Sequence, residues 1–256
     1  MDFQPFTKEA KVQTDQKASC HDAFRNDLER IPKHKIVINR QNNIIRHSLC
    51  PEHTFSNVTK QTNMEHLGSF TAIDTETTGL HPSSDRITEV TAIRFRNWEP
   101  VEIFSTLVNP GRKIPAVVTA KTGIDNSMVQ NQPAFAEIAD DLASFIGSDN
   151  IVGHNLSFDM QFLECSGMDL SLPKKRKFYD TLKLARYTLV KYGQKVWDPD
   201  EGGYTESDEW DVMDYKLTTL CDYYGIRDNS SAHRAASDAY ATGILFHMLA
   251  ESKVSK

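Results

Sequence analysis

Asp74 and Glu76 stand one residue apart in Phe70-Thr-Ala-Ile-Asp74-Thr-Glu76-Thr-Thr-Gly79-Leu80. A short apolar run leads into the pair, and a Thr-Thr-Gly turn ends the stretch. In a β-strand, residues i and i+2 share a face, so both carboxylates are expected to project together. Two like charges at the end of a buried strand repel each other, and a hard cation such as Mg²⁺ or Mn²⁺ between them relieves that repulsion. The plain alternative is an exposed strand end carrying two solvated acids, and the pair alone does not decide between them.

Two further acids stand in informative settings. Asp159 closes Gly153-His154-Asn155-Leu156-Ser157-Phe158-Asp159, where a short strand gives way to a helix. An acid in a first helical turn is also what the helix dipole favours. Asp238 follows His233 in His233-Arg-Ala-Ala-Ser-Asp238. Five residues on a continuous helix amount to about 140° of rotation. The two therefore converge only if His233 lies on the loop before the helix and Asp238 in its first turns. Ser230-Ser231 supplies a natural N-cap region for that boundary.

The elements that must position these groups can be read from the apolar pattern. Strands are expected over 70–74, 86–95 and 101–108, and their short links imply antiparallel neighbours. A helix over 114–122 stops at Gly123, and Pro133 opens another running through Ile138, Leu142 and Phe145 to Gly147. A short strand over 150–153, an amphipathic helix over 156–165, a strand over 178–180 and a helix from Thr181 follow. Helices over 216–224 and 233–249 complete the pattern. This is an α/β arrangement, a mixed sheet with helices on both faces.

Asp74-x-Glu76-Thr-Thr-Gly-Leu80, His154-Asn-x-x-Phe158-Asp159 and His233-x-Ala-x-x-Asp238-Ala closely resemble the three motifs of the DEDDh (DnaQ-like) 3′–5′ exonuclease family. The likeness runs from about Gly68 to Leu249, and the Ala-Tyr-Ala-Thr after Asp238 looks more like the polymerase III ε-subunit branch, which proofreads, than like oligoribonuclease. The resemblance implies an RNase H-like fold, a five-stranded mixed sheet of three antiparallel strands and then two parallel ones. It also implies metal-dependent hydrolysis at the 3′ end of single-stranded DNA, releasing nucleoside 5′-monophosphates. Two Mg²⁺ (or Mn²⁺) ions about 3.5–4 Å apart would carry that chemistry. Asp74 would bridge both ions, Glu76 and Asp238 would hold the one on the nucleophile side, and Asp159 would support the other. His233 would be the general base, its ordinary pKa of about 6.5 suiting the role. Thr77, Leu80, His154 and Phe158 would line the pocket for the terminal nucleotides, although Leu80 and Phe158 serve equally well as core. DNA is favoured over RNA as substrate, and a proofreading role implies a polymerase partner. The alternatives are an RNase T-like exoribonuclease and a non-catalytic nucleic-acid-binding module on the same fold.

Two regions fall outside the family pattern. Residues 1–66 form a polar N-terminal extension, partly ordered or carrying a small hairpin over 36–38 and 44–45, ahead of an exonuclease domain over 67–250. His47-x-x-Cys50-x-x-His53 in this arm lacks the paired C-x-x-C spacing of structural zinc sites, so ordinary surface histidines are expected. An acidic insertion over about 193–214 carries Trp197 and Trp210 and shows no clear period. It reads as a surface loop whose tryptophans pin it to the body, with a docking surface as the other reading. The basic run Lys174-Lys175-Arg176-Lys177 is a candidate substrate rim, resembles a nuclear import signal, and is most simply a solvated loop.

Composition limits the rest. A formal charge of −6 argues against a dedicated nucleic-acid coat but leaves room for an enzyme with a local basic rim. The opening Met-Asp-Phe-Gln-Pro-Phe-Thr-Lys-Glu shows no secretory leader pattern, and no membrane span is expected. Four widely spaced cysteines do not suggest a disulfide framework, so reduced thiols and a cytoplasmic location are expected.

Overall fold

The computed structural model describes the strands at 37–39 and 44–48 and residues 67–226 and 234–252. Its main sheet has the order β1-β2-β5-β4-β3-β6-β7. The three central antiparallel strands are β3 (Phe70–Thr77), β4 (Ile87–Arg96) and β5 (Glu99–Leu107). On the other side of β3, the strands β6 (Asn150–Gly153) and β7 (Phe178–Asp180) run parallel to it. These are the five strands expected from the sequence. Two more, β1 (Val37–Asn39) and β2 (Ile44–Ser48), pair as the hairpin of the polar extension and add to the free edge of β5.

Alternation along β3 sends its side chains into two separate cores. Phe70 and Ala72 pack with Ile93, Phe95, Val152, Ala239 and Phe246 on the face covered by α7 (Ala235–Ser252). Ile73 faces the opposite core, which α3 (Phe135–Ile146) and α4 (Ser157–Cys165) cover with Ile138, Leu142, Phe162 and Leu163. Each apolar stripe is thereby removed from water on one side of the sheet. Helix α1 (Ala116–Thr122) ends at Gly123, whose φ of 73° takes the left-handed conformation expected of a C-cap. The short helix α2 (Asn126–Val129) follows it. Helices α5 (Thr181–Thr188) and α6 (Leu217–Tyr224) join α7 in a smaller apolar cluster through Ala185, Leu220, Leu245 and Leu249.

The acidic insertion has more order than a patternless loop. Strands β8 (Lys195–Asp198) and β9 (Gly203–Glu206) form a hairpin, with Asp198 accepting hydrogen bonds from the Asp200 and Glu201 N–H groups in the turn. Its tryptophans do not pin it to the body. Trp197 stacks edge-on against Tyr204 of the opposite strand, and Trp210 against Tyr192, and both tryptophans stay about half exposed. Val212, buried at the base of the insertion, and Asp211, which accepts from the Val190 N–H at 2.7 Å, anchor it.

Helix α7 lies unusually close to the sheet. A Cβ at Gly243 would sit 2.2 Å from Cζ of Phe95, whose ring stacks on Phe70 at 4.7 Å. Gly243→Ala is accordingly expected to cost about 1–3 kcal/mol by overpacking. Chemical denaturation checks this: the midpoint should fall with the slope unchanged, and an equal or higher midpoint would contradict the close approach.

Candidate active site

The carboxylates gather at the C-terminal end of β3. Asp74 and Glu76 continue the face of Phe70 and Ala72, so they point toward the side that α7 covers. Asp238 comes from the first turn of α7, where its N–H donates to the Arg234 carbonyl at 3.0 Å. One carboxylate oxygen from each of Asp74, Glu76 and Asp238 lies within 4.8 Å of the other two. A register shift between Glu76 and Thr77 ends the regular pairing with β4 at this point.

Asp159 is held one step behind that group. Strand β6 pairs with β3 only as far as Ala72, which leaves the Thr75 N–H without a strand partner on that side. Asp159 Oδ1 fills the place, accepting from the Thr75 N–H at 2.9 Å and from its hydroxyl at 2.7 Å. The side chain is buried and reaches across to the sheet, which goes beyond the service an acid gives a helix dipole.

Burial and mutual repulsion act together on these acids. Burial, then the charges of Asp159, Asp238 and Glu76, raise the Asp74 pKa well above the carboxylate range. Glu76 is pushed to about 8 by burial, then by Glu89 and Asp238, with Lys121 pulling the other way. Asp159 rises to about 7 through burial, against the opposing hydrogen bonds from Thr75. A site that holds protons this firmly is one that a cation would suit. Among the described residues the donors are all carboxylate oxygens, and that set fits Mg²⁺ or Mn²⁺.

Above the acids opens a cleft of about 790 Å³. Asp74 and Asp238 form part of its lining, and so do His154 and Asn155. His154 Nδ1 lies 3.0 Å from the Thr181 hydroxyl, and burial lowers its pKa. Asn155 takes a left-handed φ of 59°, and its N–H donates to Asp180. Of the other residues expected at the pocket, Thr77 is buried and donates to the Gly79 carbonyl, while Leu80 is 73 % exposed on the turn after β3. Phe158 is half-buried against Phe162. His233 lies outside the described residues, as do Ser230 and Ser231, and so do Cys50 and His53 of the N-terminal arm.

The basic run 174–177 is not the rim of this cleft. It precedes β7, and β6 and β7 run parallel to β3, so it lies at the opposite end of the sheet from Asp74 and Glu76. Arg176 is buried and donates to the Leu170 carbonyl at 2.7 Å and the Asp149 carbonyl at 3.0 Å, with a third bond to the Gly147 carbonyl. The cations beside the cleft come instead from Lys121 on α1, Arg186 on α5, and Lys191 and Lys216 at the two ends of the acidic insertion. These positions are scattered along the chain and form no motif. The only sequence signal is their place beside elements the motifs had located.

Fold and site together define a nuclease, and comparison with known proteins agrees. The RNase T exonuclease family model matches residues 71–246. The DNA polymerase III ε subunit of Treponema pallidum is 36 % identical over 186 residues, covering 71 % of this chain and 76 % of the relative. The PolC-type DNA polymerase III of Caldanaerobacter subterraneus is 31 % identical over 194 residues, 76 % of this chain but 12 % of the polymerase. The chain thus spans about a tenth of the length of the PolC-type polymerases it matches. Among solved structures, E. coli exonuclease I in complex with a dT13 oligonucleotide superposes with a TM-score of 0.57 at 22 % identity, covering 73 % of this chain and 42 % of that one. The chain belongs to the RNase T exonuclease family, the DnaQ-like group that its motifs resemble.

The raised carboxylates predict how stability should depend on pH. Unfolded, Glu76 releases its proton near the ordinary 4.5; folded, it does so at about 8. Between those values the folded state binds more protons, so stability falls as pH rises through the window. The metal-free protein should therefore melt at a lower temperature at about pH 8.5 than at about pH 5.5, and added Mg²⁺ should raise the melting temperature more at the higher pH. Thermal melts with and without Mg²⁺ check this, and a Mg²⁺ effect that is equal at both pH values would contradict it.

Proposed function

We propose that this chain is a divalent-metal-dependent 3′–5′ exonuclease that removes nucleoside 5′-monophosphates from the 3′ end of single-stranded DNA. The observation that carries the reading is the meeting of Asp74, Glu76 and Asp238 within 4.8 Å at the foot of a cleft with cations beside it. With Asp159 behind them, these residues would hold two Mg²⁺ or Mn²⁺ ions, which when bound offset the phosphate charge, activate water and stabilise the departing 3′ oxygen.

The chain's own residues do the rest. His233, next to Arg234 at the start of α7, takes the proton from the attacking water at an imidazole nitrogen. Lys121, Arg186, Lys191 and Lys216 meet the phosphates of the strand and draw a polyanion to a protein of net negative charge. His154, Thr77, Leu80 and Phe158 contact the terminal nucleotides. Leu80, an exposed apolar side chain at the same end of the sheet as the carboxylates, is the one a stacked base would cover.

The match to the Treponema ε subunit supports DNA over RNA and association with a polymerase. No helix among the described residues is long and apolar enough to cross a membrane. Among the described residues Cys165 is an exposed free thiol, in keeping with a reducing, cytoplasmic setting.

Matched assays on 3′-labelled single-stranded DNA, duplex DNA with a mismatched end and single-stranded RNA test the reading. Single-stranded DNA should be degraded fastest, and Asp74→Ala or EDTA should abolish release. Full activity in either, or faster RNA degradation, would overturn it. Lys191→Ala should raise KM with kcat unchanged and lower the salt slope of binding by about 0.7. An unchanged slope would remove Lys191 from the phosphate track.

A further inference from the structure

Beside the three clustered acids lies a fifth carboxylate that takes no part in the cluster. Glu89 on β4 stands directly across from Glu76 in the sheet register and is 3 % exposed. Its charge adds to the repulsion on both Glu76 and Asp74. A buried acid in this place makes sense only if it does something that offsets that cost.

Both of its oxygens are engaged. Oε1 accepts from Arg234 Nη2 at 2.6 Å, and Oε2 accepts from Arg234 Nε at 3.0 Å and from the Ala235 N–H at 3.0 Å. The first contact pair is a two-pronged fork, which fixes orientation as well as charge. The third bond satisfies one of the N–H groups that a helix start leaves without an intrahelical partner, and it places negative charge at the positive end of α7. Arg234 in turn offers its carbonyl to the Asp238 N–H at 3.0 Å, closing the first turn of the helix. From β4, Glu89 thus grips the side chain of residue 234 and the backbone of residue 235. Asp238 lies one turn further along, and His233 is bonded directly to the gripped residue.

We propose that Glu89 and Arg234 are positioning residues of the active site: their ion pair sets the start of α7 so that Asp238 meets Asp74 and Glu76. This rests on the exonuclease reading for its catalytic consequence, but not for its geometry. Glu89 is not a ligand in this scheme, because its oxygens are already committed to Arg234 and Ala235. The pair holds the helix at the distance that three mutually repelling carboxylates would otherwise widen.

Glu89→Gln keeps the shape of the side chain and removes its charge, and Arg234→Lys keeps the charge and removes the fork. Three readouts apply to each variant and to the wild type. In hydrogen exchange without metal, amides at the start of α7 should exchange faster while those of β3 and α3 stay as they were. In calorimetry with Mn²⁺ and no DNA, Glu89→Gln should bind roughly 10–100-fold more weakly, with Arg234→Lys between it and the wild type. In single-stranded DNA hydrolysis, kcat should fall by a similar factor with KM for DNA unchanged. Wild-type Mn²⁺ affinity and wild-type exchange in a folded Glu89→Gln protein would overturn the proposal. Should Glu89→Gln not fold, the same result in Arg234→Lys would overturn it equally. If the wild type binds Mn²⁺ and Glu89→Gln loses affinity while neither cleaves DNA, the positioning role stands and the exonuclease reading fails.

Discussion

Carboxylates from Asp74, Glu76 and Asp238, with oxygens within 4.8 Å of one another, repel, and the surrounding fold has to hold them together against that force. Burial worsens the problem, since it takes Asp74 and Glu76 out of the water that would solvate their charge. The result is the upward pressure on the pKa of Asp74, Glu76 and Asp159. A cluster like this is unstable as a bare anion. It becomes favourable when protons or a divalent cation lower its charge.

The structure resists the repulsion with stiff elements. Strand β3 runs in the middle of the sheet, hydrogen-bonded to β4 along its length and to β6 along its first half. Where β6 stops, Asp159 takes over the free Thr75 N–H, so one acid of the site also finishes the sheet that positions two others. Helix α7, which brings Asp238, is pressed onto the same sheet by Phe246 and by the bare backbone at Gly243. Its first turn is tied to β4 through Glu89. The positive side chains of Lys121, Arg186, Lys191 and Lys216 line the cleft, outside the group of three acids.

Much of this was legible in the sequence because it is local. Period-two alternation put Asp74 and Glu76 on one face, glycine marked the end of α1, and the spacing to Asp159 and Asp238 matched a strand-to-helix step and a helix start. The features that escaped are long-range or too short to show a period. Arg176 sits in a basic run that reads as solvated, yet it is buried by carbonyls from residues 147, 149 and 170. Glu89 and Arg234 are 145 positions apart. The four-residue strands of β8 and β9 are too brief, and too acidic, for alternation to stand out. The cationic side of the cleft is assembled from separate elements and has no linear signature.

Carboxylates raised in this way are expected to give up protons when a divalent ion binds among them. Calorimetric titration with Mn²⁺ at about pH 7, in two buffers of different ionisation enthalpy, measures the protons displaced on binding. Mn²⁺ should bind with net proton release, lost in Asp74→Asn. Binding without proton release, or binding that survives Asp74→Asn intact, would contradict it.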